Sequence, residues 1–215
     1  MAYLQHRTLQ SIFTFCLIGG LLTTCKSKTK NEPLPEPATV VYKTDTTVNL
    51  NVTAKPPVIN ITDTVAEKRI VLVMRDSAAT SERIAEKMSD IYQRILPEFI
   101  LQQKLKVTGP RMAWYITSSP PFFFEAGIPV NTKPGKLPKN ISIKNIQADS
   151  AVVAHFYGPY SLTFQAYEAL KDWMASYKKK SAGAPYEIYI GEMYDSTGKA
   201  VDPYRVRTDI VFPHK

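Results

Sequence analysis

The chain repeats one order of secondary structure, and this repeat restricts its possible folds more than any other feature of the sequence. Alternating or β-branched runs predict strands, and apolar residues at helical spacing predict helices. The predicted elements are strands at 69–75, 111–117, 122–130, 150–157, 186–190 and 204–212, and helices at 81–95 and 161–178. Each half therefore predicts the order β-α-β-β. Ser81 is expected to cap the first helix, and residues 141–146 are expected to form a hairpin with 150–157.

The two halves can be aligned on one another through their last strands. Ala113 then corresponds to Glu187, and Glu125 corresponds to Asp209, each of these last two acids standing four residues before a proline. A duplicated β-α-β-β module closes around a pseudo-twofold axis, with helices on one side of the sheet. The sequence therefore predicts an α+β domain with antiparallel sheets joined edge to edge, two main helices, and a groove on the side away from the helices.

Three short stretches resemble the GyrI-like family, which includes the effector-binding domains of AraC-type and MerR-type transcription activators. They are HFYGPY at 155–160, YEIY at 186–189 and TDIVFP at 208–213, and the resemblance extends over residues 69–213. It implies a groove between the repeats that binds small, often cationic and aromatic molecules, with a buried glutamate as their counter-ion. Some members of the family are hydrolases that act on reactive ligands.

Only some of the site residues of the family have an identical counterpart in this chain. Glu187 matches the strand glutamate and Tyr189 its tyrosine, whereas Asp209 stands where glutamate is common and Ala113 has no acid. The sequence contains no nucleic-acid motif despite a formal net charge of +8, so we expect no nucleic-acid partner. The spacing of its cysteines and histidines fits no metal site, and we expect neither a metal nor a cofactor.

Strand alternation predicts which residues line the groove. Alternate residues of a strand share a face. Glu187 and Tyr189 therefore lie opposite an apolar set that we expect against the helices, namely Tyr186, Ile188 and Ile190. The same alternation places Tyr115 and Ala113 in the groove, with Trp114 turned towards the helices.

The predicted ligand-binding residues are Glu187, Tyr189, Tyr115, Asp209 and Glu125. A carboxylate walled by aromatic rings is costly to keep charged unless a cation or a donor pairs with it. A cation also gains from the aromatic faces, so this set predicts a cationic aromatic ligand. The alternatives are that Glu187 is a rim residue bonded to Tyr189 or a lysine, that Asp209 and Glu125 form salt bridges on an outer face, and that the tyrosines only pack.

Three functions are compatible with the sequence. The first is a membrane-tethered binding module, without catalytic activity, that captures a cationic, amphipathic small molecule. The second is a hydrolase in which Glu187 activates water as a general base while Tyr189 or Tyr115 donates a proton to the departing group. The third is an envelope protein-interaction module whose groove is vestigial. We rank the binding module first.

The N-terminus predicts a bacterial lipoprotein. Residues 1–10 contain Arg7 and no acid, and the short run 11–22 carries no charge, which is typical of a secretory signal. Leu22-Thr23-Thr24-Cys25 resembles a lipobox, with Thr24 as a departure from the usual small residues. We therefore expect a signal peptide at 1–24, acylation of Cys25 with chains such as palmitate, and an anchor in the bacterial cell envelope. The alternative is a buried N-terminal helix that ends in an ordinary cysteine.

The stretch between the cysteine and the repeats predicts a flexible spacer. Residues 25–66 contain no glycine, recurrent Pro, Thr, Asn and Lys, and only scattered apolar side chains, too few to offset the entropy of ordering. The folded domain is therefore expected at 67–215. A short edge strand near 48–52 or 58–61 is the alternative. Lys26 directly after the cysteine favours the outer membrane over the inner one.

Overall fold

A computed structural model of the chain describes residues 55–193 and 195–215. The predicted signal peptide, Cys25 and residues 26–54 lie outside the described residues. Within the described part, no helix is long and apolar enough to cross a membrane.

One antiparallel sheet of eight strands organises the described residues, in the order β1-β6-β8-β7-β3-β4-β2-β5. The strands are β1 (Val58–Val65), β2 (Arg69–Ala78), β3 (Met112–Tyr115), β4 (Phe122–Val130), β5 (Ile141–Ile146), β6 (Ser150–Tyr157), β7 (Tyr186–Ile190) and β8 (Arg207–Pro213). The order is symmetric about the junction of β3 and β7, which confirms the predicted α+β fold and its duplicated β-α-β-β module.

Two helical segments lie on one side of this sheet. The first runs continuously through α1 (Ser81–Asp90), a π-helical turn (Ile91–Ile95) and α2 (Leu96–Gln102), and so extends beyond the predicted end at residue 95. The second begins with a 3-10 turn (Tyr160–Leu162) and continues as α3 (Thr163–Ser176). Thr80, rather than Ser81 as predicted, caps α1, because its hydroxyl accepts the amide of Arg83 at 3.5 Å.

The two outer strands are exchanged between the halves. β1 pairs with β6 along its whole length, and β5 pairs with β2. The predicted hairpin between 141–146 and 150–157 is therefore wrong. The predicted start of the domain at residue 67 is wrong as well, because Val58–Val65 belongs to the sheet. The structure instead shows the alternative, an edge strand that includes residues 58–61.

The exchange forces the sheet to curl. Residues 66–68 join β1 to β2 and residues 147–149 join β5 to β6, although each pair of strands lies in opposite halves of the sheet. Three residues span about 10 Å when fully extended, so the two halves must approach one another. The connectors touch where the Ala66 amide donates to the Asp149 carbonyl at 2.8 Å.

Both faces of the curled sheet are apolar. On the helix side, Leu72 and Phe124 pack with Met88 and Leu96 of the first helical segment. Val152, Phe156 and Ile210 pack on the same side against Leu170 of α3. The helix-free face forms a third cluster in which Val71 and Val73 of β2 meet Ala151 and Val153 of β6, together with Trp114 and Tyr186. β2 and β6, which have four strands between them in the sheet, therefore share one core.

We predict that a chain beginning at Glu67 is much less stable than a chain beginning at Leu50. The shorter chain lacks β1 and with it Ile59, which packs on the α3 cluster, and the hydrogen bonds of one whole strand. The loss should exceed about 3 kcal/mol in the free energy of unfolding. Urea unfolding followed by circular dichroism measures it, with the chain from Leu50 as the control. Equal midpoints for both chains would show that β1 is dispensable.

Candidate functional site

Glu187, Tyr189, Ala113 and Tyr115 lie on the helix-covered face of the sheet, not on the helix-free face as predicted. Glu187 is paired across the strands with Ala113 on one side and Ile210 on the other. These two neighbours pack against the first helical segment and against α3, respectively. The prediction failed because the opposite set also packs in a core. Tyr186, Ile188 and Trp114 fill the helix-free cluster that the curl of the sheet creates.

Glu187 is one of the most deeply buried side chains of the domain, with 1% of its surface exposed. Its carboxylate oxygens are each held by a tyrosine from the second half. The Tyr167 hydroxyl on α3 donates to Oε1 at 2.9 Å, and the Tyr160 hydroxyl on the 3-10 turn donates to Oε2 at 2.8 Å. Glu187 therefore lies beneath the start of α3, at the centre of the sheet.

Three more tyrosines complete the surroundings of Glu187. The Tyr115 hydroxyl lies 3.0 Å from that of Tyr189 and 2.8 Å from that of Tyr160. Tyr92, on the π-helical turn, meets the ring of Tyr189 edge-on at 6.4 Å between centroids and donates to the Met112 carbonyl at 2.6 Å. We call Glu187 and these five residues the tyrosine cage: Tyr92, Tyr115, Tyr160, Tyr167 and Tyr189.

The cage shifts the pKa values of its members in one direction. Burial raises the pKa of the Glu187 carboxyl, and the hydroxyls of Tyr160, Tyr167 and Tyr189 offset only part of this effect. Burial, and then the neighbouring negative charge of Glu187, raise the pKa of the Tyr115, Tyr160, Tyr167 and Tyr189 hydroxyls. The tyrosines therefore remain neutral donors, and the Glu187 carboxyl is the member of the cage that ionises first as the pH rises.

Glu187 differs from the other buried acids in having no cationic partner among the described residues. Glu125 pairs with Arg75 at 3.1 Å and with Lys144. Asp209 pairs with Arg207 at 3.1 Å and with His155 at 2.7 Å. These ion pairs sit on the helix-free face, because Glu125 lies beside Trp114 and Asp209 beside Ile188.

The structure thus separates the predicted site residues into two groups. It brings Glu187, Tyr189 and Tyr115 together in the cage. It places Asp209 and Glu125 on the other face, where the salt-bridge alternative describes them correctly. His155 belongs to the Asp209 pair. Within the described residues, no group of three or more His, Cys, Asp or Glu side chains could hold a metal ion.

Three members of the cage were missed from the sequence: Tyr92, Tyr160 and Tyr167. Tyr160 and Tyr167 are seven residues apart, a spacing that returns to the same side of a helix. This spacing was a usable signal for Tyr160 and Tyr167 once Glu187 was a candidate. Tyr92 gave no comparable signal, because it lies within an ordinary apolar stripe, and the π-helical turn that carries it was not predicted.

Comparison with solved structures identifies the fold. The C-terminal domain of EcmrR matches with 22% identity over 74% of this chain and 98% of that domain, with a TM-score of 0.59. The cryo-EM structure of EcmrR in a DNA complex matches with 20% identity, 74% coverage of this chain and a TM-score of 0.57, and this chain spans only 57% of that one. The chain therefore has the GyrI-like fold that the sequence resemblance implied.

The remaining comparisons do not bear on the function of the chain. The structure of SAV2435 bound to tetraphenylphosphonium matches with 12% identity over 74% of this chain and 94% of that one, but its TM-score of 0.45 is too low to bear on the present site. No family model matches the chain. No curated protein matches it either.

We predict that the buried charge of Glu187 makes the protein less stable as the pH rises. The folded-state pKa of Glu187 is raised above its unfolded value, so between the two the folded protein holds a proton that the unfolded chain has released. The free energy of unfolding should therefore fall across this window and not recover above it. Glu187→Gln should remove this component and be more stable than the wild type above the window, by on the order of 1 kcal/mol.

Urea unfolding of both proteins between about pH 4 and pH 8 measures this difference. Asp209→Asn, which alters a buried acid on the opposite face, serves as the control and should leave the component in place. Parallel stability curves for the wild type and Glu187→Gln would contradict a buried, uncompensated charge.

Proposed function

We propose that the domain binds a cationic, aromatic small molecule in the tyrosine cage, with Glu187 as counter-ion. The observation that carries this proposal is that Glu187 is buried among tyrosines and forms no ion pair with any described residue. A buried carboxylate without a counter-ion is unfavourable, and an incoming cation relieves this cost. A neutral ligand of the same shape gains nothing from it.

The aromatic rings favour the same class of ligand. A cation gains attraction from the faces of tyrosine rings, most of all when both are shielded from water. The cage already has one cation on its outside, since the Arg111 guanidinium lies 5.8 Å from the centroid of the Tyr92 ring. Glu192 pairs with Arg111 at 3.2 Å, so this cation is already compensated outside the cage.

The contacts of Glu187 favour binding over hydrolysis. A general base needs a carboxylate oxygen directed at a water molecule within about 3 Å. In the cage each oxygen of Glu187 accepts a tyrosine hydroxyl instead. A cationic ligand can replace a tyrosine hydroxyl at the carboxylate. A hydrolase would instead need a water molecule at a carboxylate oxygen in every turnover. Binding therefore ranks above the general-base role.

We predict that the domain binds tetraphenylphosphonium but not tetraphenylborate. The two ions have the same shape and opposite charge, so the difference between their dissociation constants isolates the electrostatic contribution. Glu187→Gln should weaken binding of the cation at least about tenfold, because the charge partner is lost. Isothermal titration calorimetry above the pKa of Glu187 measures both effects.

Glu125→Gln is the matched control, since it also neutralises a buried glutamate but on the helix-free face. It should keep the affinity of the wild type. Equal affinity for both ions, or equal loss in both variants, would remove the cage from the binding site.

We also propose that Cys25 carries a lipid that holds the domain at the bacterial cell envelope. The support is the sequence alone: a basic start, a short apolar run and a lipobox-like LTTC ending at Cys25. Since one acyl chain gives only weak membrane binding, a stable anchor needs several chains on this residue. A tethered domain would meet amphipathic cations where they partition into the membrane surface.

We predict that Cys25→Ser abolishes acylation and releases the protein from the membrane fraction. Metabolic labelling with an alkyne analogue of palmitate, followed by fractionation, measures both effects in a bacterial host. Cys16→Ser is the control, because Cys16 lies within the apolar run and should not be acylated. Labelling that persists in Cys25→Ser, or a wild type without label, would contradict the lipoprotein prediction.

A further inference from the structure

Five lysines lie together at the corner of the domain where the first helical segment ends. After Gln102, the last residue of α2, the loop of residues 103–108 runs beside the loop of residues 131–140 that leaves β4. The Asn131 amide donates to the Lys106 carbonyl at 3.0 Å, and the Lys106 amide donates to Asn131 Oδ1 at 2.8 Å. The two loops are thus held side by side, and their exposed lysines are Lys104, Lys106, Lys133, Lys136 and Lys139.

Three exposed apolar side chains lie among these lysines. Leu101 is 80% exposed, Val107 57% and Leu137 36%. The second loop also reaches back to α2, because Pro138 lines a cleft together with Phe99. The five lysines and these three apolar residues therefore form one continuous surface, which we call the basic corner.

The positive charge of the basic corner is not balanced locally. None of its lysines forms an ion pair with a residue that the structure describes. Between residues 99 and 148 the sequence has a single acid, Glu125. That glutamate is buried and already paired with two cations on the helix-free face. Glu98, just before this stretch, lies beside Arg94 in the cleft next to the corner.

An anionic lipid surface fits this combination of residues better than other polyanions do. Lysines are attracted to lipid headgroups and to nucleic-acid phosphates alike, because the attraction depends on charge. Exposed aliphatic side chains gain free energy only where they leave water, and the interface of a bilayer allows this. A phosphate backbone offers Leu101 and Val107 no such environment. The apolar residues of the corner therefore favour a membrane as its partner.

We propose that the basic corner docks the domain on the anionic surface of a membrane. The lysines contact the headgroups, and Leu101, Val107 and Leu137 enter the boundary of the acyl chains. The corner contains no residue of the tyrosine cage and lies outside the proposed lipid anchor, so the inference goes beyond the proposed function. Docking turns one defined surface of the domain towards the membrane, which a lipid on Cys25 does not do by itself.

The test places a tryptophan probe in the basic corner of the 215-residue chain. Val107→Trp and its control Phe164→Trp replace side chains of equal exposure, 57% each, and Phe164 lies on α3. Each chain is mixed with vesicles of phosphatidylcholine and phosphatidylglycerol whose acyl chains carry bromine, which quenches a tryptophan that reaches them. The fluorescence added by the probe at position 107 should be lost, and the fluorescence added at position 164 should remain.

Charge reversal tests whether the lysines of the corner are responsible. Combined with Val107→Trp, the pair Lys104→Glu and Lys106→Glu should raise the lipid concentration for half-maximal quenching about thirtyfold. Each lysine near an anionic surface contributes roughly a factor of five. The control pair, Lys178→Glu and Lys180→Glu, changes the net charge equally and should have a much smaller effect. Lys178 is matched to Lys104 in backbone conformation, because their φ angles are 52° and 53°.

The outcomes separate docking of this corner from general adsorption. Equal quenching at positions 107 and 164, or equal effects of the two charge reversals, would overturn the proposal, since the domain would then adsorb through its net charge. Absence of quenching at position 107, or equal quenching in vesicles of phosphatidylcholine alone, would overturn it too. If duplex DNA and not vesicles changes the fluorescence of the probe at position 107, the corner binds a polyanion and the membrane proposal fails.

Discussion

The architecture depends on two connectors of three residues that cross between the halves of the sheet. Residues 66–68 and 147–149 are too short to follow the sheet around, so they hold its halves together and make it curl. The curl gives the helix-free face a core of its own, around Trp114 and Tyr186. β3 and β7 lie at the middle of the sheet, and Glu187 lies there on β7, beneath the start of α3.

That location explains how the Glu187 carboxylate remains buried although no described residue forms an ion pair with it. Neutral hydroxyls from both halves surround Glu187, and two of them donate to it directly. Hydrogen bonds of this kind lower the cost of a buried charge but do not remove it. The raised pKa of Glu187 reflects the part of the desolvation free energy that these hydrogen bonds do not offset. If the domain binds a cation as proposed, the empty site is less stable than the occupied one, and Glu187 couples affinity to stability.

The sequence predicted the repeat, most strand positions and the correspondence of Ala113 with Glu187, because strand and helix periodicity are local properties. It misassigned the face of Glu187 for a physical reason. Strand alternation separates two sets of residues, but it does not say which set faces the helices, and in a curled sheet both sets are buried. Tyr186 and Ile188 were apolar enough for either side. The exchange of β1 and β5 was equally hidden, since it depends on the length of two connectors and not on the strands they join.

The difference between the two halves at the pseudo-twofold axis makes the cage possible. Ala113 and Glu187 are directly paired across β3 and β7, at positions that the duplication relates to one another. Two glutamates there would face each other at the distance of a cross-strand pair, where like charges are destabilising. An alanine in the first half avoids this repulsion. The duplicated fold therefore contains one carboxylate at this pair of positions instead of two, and tyrosines from both halves surround that carboxylate.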